Sequence, residues 1–340
     1  MGWAAASKVE KSEGPTYGRD YYANILKSTS SQSSRPIRMA LVAKENCCKS
    51  GLALDIATKL VKEKDIVVLD VDSSAENTAA HVFGDADNLK ILPLFDESDD
   101  SIFNEDNTTN WMALVEKVKW MTRIIAEEAK EGKIGAVVFD GGSTFLKWCE
   151  FVMTETLLSR GVIREEGDSF NQKEWRTRNQ IFKDVINRIN SIPVPYVFFT
   201  FHLKDVKEFM DIGDGKKGLM KTGEKVDWID GTQRFVSQQM WLSRYTKKGD
   251  SAAGVKKDAT LGPNDWAVRC RVEEMKGRNM EHLGKEYVVL EVKDGEVIWH
   301  GLPFGWAFAK NKDELVARVS DIHNTFFPEC PMCGRVDNED

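Results

Sequence analysis

Residues 38–60 constrain this chain more than any other stretch. Met39 to Ala43 is a short apolar run, and a loop follows that ends in Cys48-Lys49-Ser50-Gly51. Leu52, Leu54, Ile56, Ala57 and Leu60 then recur close to helical spacing. Strand, loop, Lys-Ser and helix together form the layout of a phosphate-binding loop. Backbone N–H groups of such a loop point at phosphates, a lysine carries charge to the β- and γ-phosphates, and a Ser or Thr hydroxyl ligates magnesium. The candidate nucleotide-binding residues are Ala43, Lys44, Glu45, Asn46, Cys47, Cys48, Lys49, Ser50 and Gly51. The pattern G-x-x-x-x-G-K-[ST] is imperfect here, because Ala43 and Cys48 stand where it has glycine. Glycine suits those positions because a Cβ resists the backbone conformation and the close approach to phosphate. Taken alone, the stretch fits a plain strand-to-helix turn equally well.

The surrounding pattern supports the phosphate reading. Ile66 to Asp72 is an apolar run ending in acids, as expected of a buried parallel strand with Asp70 and Asp72 at its carboxyl end. Ligands of open α/β sheets sit beyond those ends, where Asp70 or Asp72 could polarise water. A further short strand is expected near 88–94, and an amphipathic helix from Trp111 to Ala129. Ile134 to Phe139 delivers Asp140, the place of a carboxylate that holds Mg²⁺ through water. Helices are expected over 146–160 and 172–192. Pro195 to Lys204 reads as another buried strand carrying Thr200 and His202, and His202 is placed to sense the γ-phosphate.

From Lys204 to Arg234 the chain is rich in Gly and Lys, with hairpin-like turns suggested at Gly213-Asp-Gly215 and Asp230-Gly231, and a mobile cationic loop is expected there. Lys204, Lys207, Lys216, Lys217 and Lys221 are its candidate nucleic-acid contacts, partly balanced by acids such as Glu208, Asp211 and Glu224. Residues 234–245 and 265–275 alternate like strands, with a Gly/Lys/Ala-rich stretch between them that is expected to be mobile. Lys276 and Arg278, two apart on an extended strand, share a face and could reach a nucleotide held by a neighbouring subunit.

Over roughly residues 36–300 the chain resembles the RecA-like P-loop ATPases of phages and archaeal viruses, relatives of RecA/RadA recombinases and DnaB-type helicases. The resemblance is carried by Lys49-Ser50, Asp72, Asp140, Thr200-Phe-His-Leu-Lys204 and Lys276-Gly-Arg278-Asn279. It implies an α/β fold with a mostly parallel central sheet flanked by helices, ring or filament homo-oligomers, and ATP held between subunits. It implies Lys49 on phosphate, Ser50 and Asp140 on Mg²⁺, His202 as sensor, and Lys276 and Arg278 acting in trans. Asp72 stands in place of the family's catalytic glutamate, one methylene shorter. The expected activity is ATP binding and hydrolysis on single-stranded DNA in recombination, repair or replication. The competing readings are a DNA-translocating helicase or packaging motor, and a degenerate P-loop assembly module, to which Cys48 points.

Composition bounds what remains. A formal charge of −7 excludes whole-surface attraction to nucleic acid, so any such site is a local patch. No run of about twenty apolar residues is present, and no membrane span is expected. No charged-then-apolar leader opens the sequence, and the six cysteines are too sparse for a disulfide framework; both suit a cytoplasmic setting. The expected organisation is a flexible arm over 1–36, a core over 37–305, and a tail over 306–340 with a short helix. A β-hairpin over 287–299 closes the core. In the tail, Cys330 and Cys333 form a C-x-x-C pair, with His323 as a third candidate Zn²⁺ ligand and Cys270 or a second subunit as the source of a fourth.

Overall fold

The computed structural model describes residues 36–82, 86–163, 170–211, 217–251, 253–276 and 282–302. Five apolar runs of the sequence become parallel strands. β1 (Ile37–Ala43), β2 (Asp65–Asp70), β3 (Leu89–Pro93), β4 (Ile134–Asp140) and β5 (Tyr196–Asp211) are joined by β7 (Gln238–Thr246) in the order β3-β2-β4-β5-β1-β7. Every neighbouring pair in that series is parallel. β9 (Trp266–Met275), β10 (Glu286–Lys293) and β11 (Glu296–Trp299) then extend the sheet antiparallel beyond β7. The expected hairpin over 287–299 is β10 and β11.

The continuous apolar character of the central strands follows from burial on both faces. Ala40 and Val42 of β1 point into one core with α3 (Trp111–Lys130), α4 (Gly142–Ser159) and α5 (Trp175–Asn190). Met39, Leu41 and Ala43 point into the other, with α1 (Lys49–Leu60) and α2 (Ala75–Val82). β5 alternates likewise, with Val197, Phe199 and Phe201 on the first side and Phe198 on the second. Arg38 is the one charged residue of this central region of β1. Its guanidinium donates to the carbonyls of Asn190, Ile192 and Val194, fastening the end of α5 to the sheet, and burial pushes its pKa down to about 10.

Two expectations change. The stretch after Lys204 is not a loop: β5 runs on to Asp211 and pairs antiparallel with β6 (Lys217–Val226), forming a long hairpin beyond the sheet. The 247–263 stretch holds β8 (Lys256–Lys257), which pairs parallel with the end of β7. In both places Gly and Lys suggested a solvated loop, whereas backbone pairing to a distant strand supplied the order. Among the described residues no helix is long and apolar enough to cross a membrane.

Candidate functional site

Ala43 is the last residue of β1, flanked by His202 of β5 and Leu242 of β7. The chain then turns through Asn46 (φ 58°) and Cys48 (φ 57°, ψ 33°), both left-handed, before α1 begins at Lys49. Cys48 therefore adopts the conformation for which glycine was expected, and its carbonyl accepts the Leu52 N–H at 3.0 Å. Asn tolerates this region; for Cys the strain costs about 1–2 kcal/mol. Ala43 needs no positive φ, because that position is still strand. The missing glycines thus do not prevent the loop from forming.

Lys49 is buried, and its Nζ folds back over the loop to the Lys44 carbonyl at 3.3 Å and His202 Nδ1 at 3.5 Å. Burial lowers its proton affinity, while Asp140 and more weakly Cys47, Asp72 and Glu45 oppose the shift. Burial, then the Lys49 charge, pushes the His202 pKa below its ordinary value, so the imidazole is neutral and its Nδ1 is free to accept. The ammonium is held by weak neutral partners at the start of α1, which fits a phosphate that would supply the missing charge.

The acids converge on the same end of the sheet. Asp70 and Asp140 are register partners at the ends of β2 and β4, and both are buried. Carboxylate oxygens of Asp70, Asp72 and Asp140 lie within 4.8 Å of one another. Asp140 accepts from Thr200 Oγ1 at 2.5 Å and from Ser74 Oγ at 3.2 Å, and Ser74 Oγ lies 3.2 Å from Ser50 Oγ. Burial and then Asp72 push the Asp140 carboxyl upward, opposed by Thr200, Ser50 and Lys49. Asp70 accepts the N–H groups of Ser74 and Ala75 at the start of α2; burial and Asp140 nevertheless push its pKa up to about 6. Clustered carboxylate and hydroxyl oxygens, crowded enough to hold protons, suit a hard divalent cation such as Mg²⁺.

Residues 35–229 match the model of the AAA domain family, over more than half of the chain. The chain belongs to the AAA domain family. No curated protein matches it. The family match, on a mixed α/β fold with a mostly parallel central sheet, points to a P-loop NTPase-like domain and to nucleotide binding.

Within the AAA domain the expected Lys49, Ser50, Asp72, Asp140 and His202 all come together. Asp72 lies past the end of β2 and is exposed, with its carboxylate kept in the cluster with Asp70 and Asp140. Three partners were missed or underweighted in sequence. Thr200 bridges Asp140 and the Gly141 N–H; Ser74 bridges Asp140 and Ser50; Ser143 accepts the His202 N–H at 2.9 Å and donates to the Asp227 carbonyl at 2.8 Å. The only local signal for Ser74 and Ser143 was their place just after strands ending in Asp.

Lys276 lies beyond the AAA match and at the other end of the sheet. β9 runs antiparallel to β7, so its end pairs with Gln238, next to the start of β1. β9 stops at Met275, one residue before Lys276, and the Lys276 ammonium bonds the Gln233 and Val236 carbonyls. Lys276 cannot reach Lys49 of its own chain. Arg278, Lys216, Cys330, Cys333 and His323 lie outside the described residues, as does the expected helix of the tail. Cys270 is fully buried between sheet neighbours and is corrected as a zinc ligand: no metal can reach it without opening the core.

Two of the hairpin lysines are engaged. Lys204 pairs with Asp227, and Lys221 with Glu224 and Asp205; Lys207 is exposed, and of Lys217 only the backbone is described. Lys44 also clasps Asp205 at 3.0 Å and Glu224 at 3.3 Å, tying the nucleotide loop to the hairpin base. Toward its tip the hairpin exposes Phe209, Met210, Leu219 and Met220.

Proposed function

We propose that this AAA domain protein is a Mg²⁺-dependent ATPase of the RecA-like type that acts on single-stranded DNA as a homo-oligomer. The observation that carries the reading is Lys49, a buried ammonium to which, among the described residues, no carboxylate is bonded, poised beside the Asp140–Ser50–Thr200 network. In this reading Lys49 binds the β- and γ-phosphate oxygens, and Ser50 and Asp140 hold Mg²⁺, Asp140 through water. The metal supplies charge neutralisation at the transferring phosphoryl group. Asp72, the exposed member of the acid cluster, orients the attacking water and takes its proton. Neutral His202 follows Lys49: when phosphate takes the ammonium, the imidazole loses that partner, and the change passes along the His202–Ser143–Asp227 bonds to the root of the hairpin.

The position of Lys276, far from its own Lys49, supports completion of the site by a neighbouring copy through Lys276 and Arg278. The emergence of β5–β6 directly beyond His202 supports a nucleotide-linked partner on that side of the molecule. Mg²⁺-ATP binding and hydrolysis, measured for the intact chain and Lys49→Ala with and without single-stranded DNA, tests the reading. Binding lost in the variant and turnover raised by DNA are expected; equal nucleotide binding by both proteins would overturn it.

A further inference from the structure

A cavity of about 670 Å³ opens between the nucleotide loop, the base of the hairpin and the segment from Lys247 to Lys257. Its walls include Lys44, Cys47, Lys221, Lys248, Lys256 and Lys257. The segment is pinned rather than loose. Asp250 and Val255 exchange backbone bonds at 2.8 and 2.7 Å, and Tyr245 and Thr246 pair with Lys256 and Lys257. That pairing brings Lys247 and Lys248, which follow Thr246 directly, beside Lys256 and Lys257. Gly254 (φ 71°) lets the segment lie on the nucleotide loop, because a Cβ there would collide with the Lys44 stem.

All four lysines are exposed, and among the described residues none pairs with a carboxylate. The nearby acids are engaged elsewhere: Asp250 accepts the Ala253 N–H, Asp258 holds Arg269 and Thr260, and Glu224 holds Lys44 and Lys221. In the hairpin, among the described side chains, two of four cations, Lys204 and Lys221, are already neutralised by Asp227, Asp205 and Glu224, which leaves it the smaller share of unpaired charge. One phosphate cannot satisfy four separated ammonium groups, whereas a polyphosphate strand can. No aromatic face is free at the segment to stack a base. Tyr245 is buried, with Arg269 4.4 Å and Lys256 5.5 Å from its ring centre. The chemistry is therefore that of backbone contact without base readout.

We infer that Lys247, Lys248, Lys256 and Lys257, rather than the β5–β6 hairpin, form the site that grips the phosphodiester backbone of single-stranded DNA, leaning on the nucleotide loop through Gly254 and Lys44. The inference rests on the DNA-binding part of the reading above and moves the contact outside the region matched by the AAA family.

The test is anisotropy of a labelled oligothymidylate of about 30 nucleotides, titrated with the full chain from roughly 50 to 200 mM salt. The unaltered protein is compared with K247A/K248A, K256A/K257A and the hairpin variant K204A/K207A. Mg²⁺-ATP binding is measured on the same samples and confirms that each variant is folded. Each segment variant should bind DNA at least about tenfold more weakly at low salt, with a salt slope reduced by about 1.4 for two lost phosphate contacts. The hairpin variant should stay within about threefold of the parent. Segment variants that bind like the parent, or a larger loss in the hairpin variant, overturn the inference and leave the ATPase reading standing. No DNA binding by the parent overturns the inference and the DNA part of that reading together, while ATP binding judges the rest. Equal affinity for a duplex of the same length overturns the single-strand assignment.

Discussion

Two lysines five residues apart on one loop have opposite surroundings. Lys49 is buried and, among the described residues, its ammonium is bonded by a carbonyl and a neutral imidazole alone. Lys44 is partly exposed and its ammonium sits between Asp205 and Glu224, which Lys221 also bridges. A buried cation without a bonded carboxylate carries a desolvation cost that a bound phosphate would relieve, whereas a half-exposed ion pair is weakly worth keeping or losing. The contrast separates a lysine held in reserve for ligand from one committed to holding two elements together.

The largest effect expected from this contrast is on Lys49→Ala. Mg²⁺-ATP affinity should fall by about 100-fold or more, roughly 3 kcal/mol. The apo protein should melt no earlier than the parent, because the substitution removes a buried charge. Calorimetry of binding and of unfolding reads both, and a large drop in apo stability would collapse the distinction between the two lysines.

Asp140→Asn should lower turnover by about 100-fold with a smaller loss in nucleotide affinity, since it weakens the oxygen cluster and leaves Lys49 in place. Steady-state kinetics beside equilibrium binding separates the two quantities; equal losses in both would place Asp140 in ground-state binding alone.

The acid cluster gives a signed pH dependence. The Asp70 carboxyl, at about 6, binds its proton more tightly folded than unfolded. Its contribution is full below the ordinary carboxylate range and is lost as pH rises through about 6, up to roughly 2–3 kcal/mol without metal. Urea unfolding between about pH 4 and 7 should show that decline in EDTA, its flattening by Asp70→Asn, and its reversal by Mg²⁺. A stability that rises over this window in EDTA would argue against the crowding of the three carboxylates.

Cys48→Gly tests the loop on which both lysines are carried. Relief of the left-handed strain, less the added freedom of the unfolded chain, should stabilise the protein by about 0.5–1 kcal/mol and leave ATP affinity equal or higher. A lower melting temperature would show that the Cys48 side chain packs more favourably than its backbone is strained. The smallest effect is expected for Lys44→Met, which should leave the unfolding midpoint nearly unchanged and Mg²⁺-ATP affinity within about fivefold. A loss approaching that of Lys49→Ala would make the clasp part of the ligand site.

The sequence made part of this legible through residues whose neighbours in the chain explain them. The runs before Ala43, Asp70, Asp140 and Thr200 are apolar throughout because each is buried on both faces, so strand identity survives without tertiary information. The Lys-Ser pair at the start of a helix and the acids at strand ends placed the candidate chemistry on the carboxyl edge of the sheet. For the β5–β6 hairpin the sequence suggested a turn at Gly213-Asp-Gly215 but not the length of paired strand on either side, because Gly and Lys look alike in a loop and in a solvated two-stranded ribbon. Lys276 was read on a strand that ends one residue earlier, where its ammonium finds two carbonyls.

The sequence by itself determined that this chain alternates buried strands and helices, and that a Lys-Ser turn and two acid-terminated strands carry its polar chemistry, because those patterns are set by local spacing and burial. Only the tertiary structure decided which of these groups touch. The insertion of β5 between β1 and β4 puts Thr200 on Asp140 and His202 beside Lys49, partners that lie 60 and 153 residues apart in the chain. It also decided which lysines meet carboxylates and which remain bare. Such pairings are fixed by strand order and by shared burial, and a linear sequence carries no short-range mark of either.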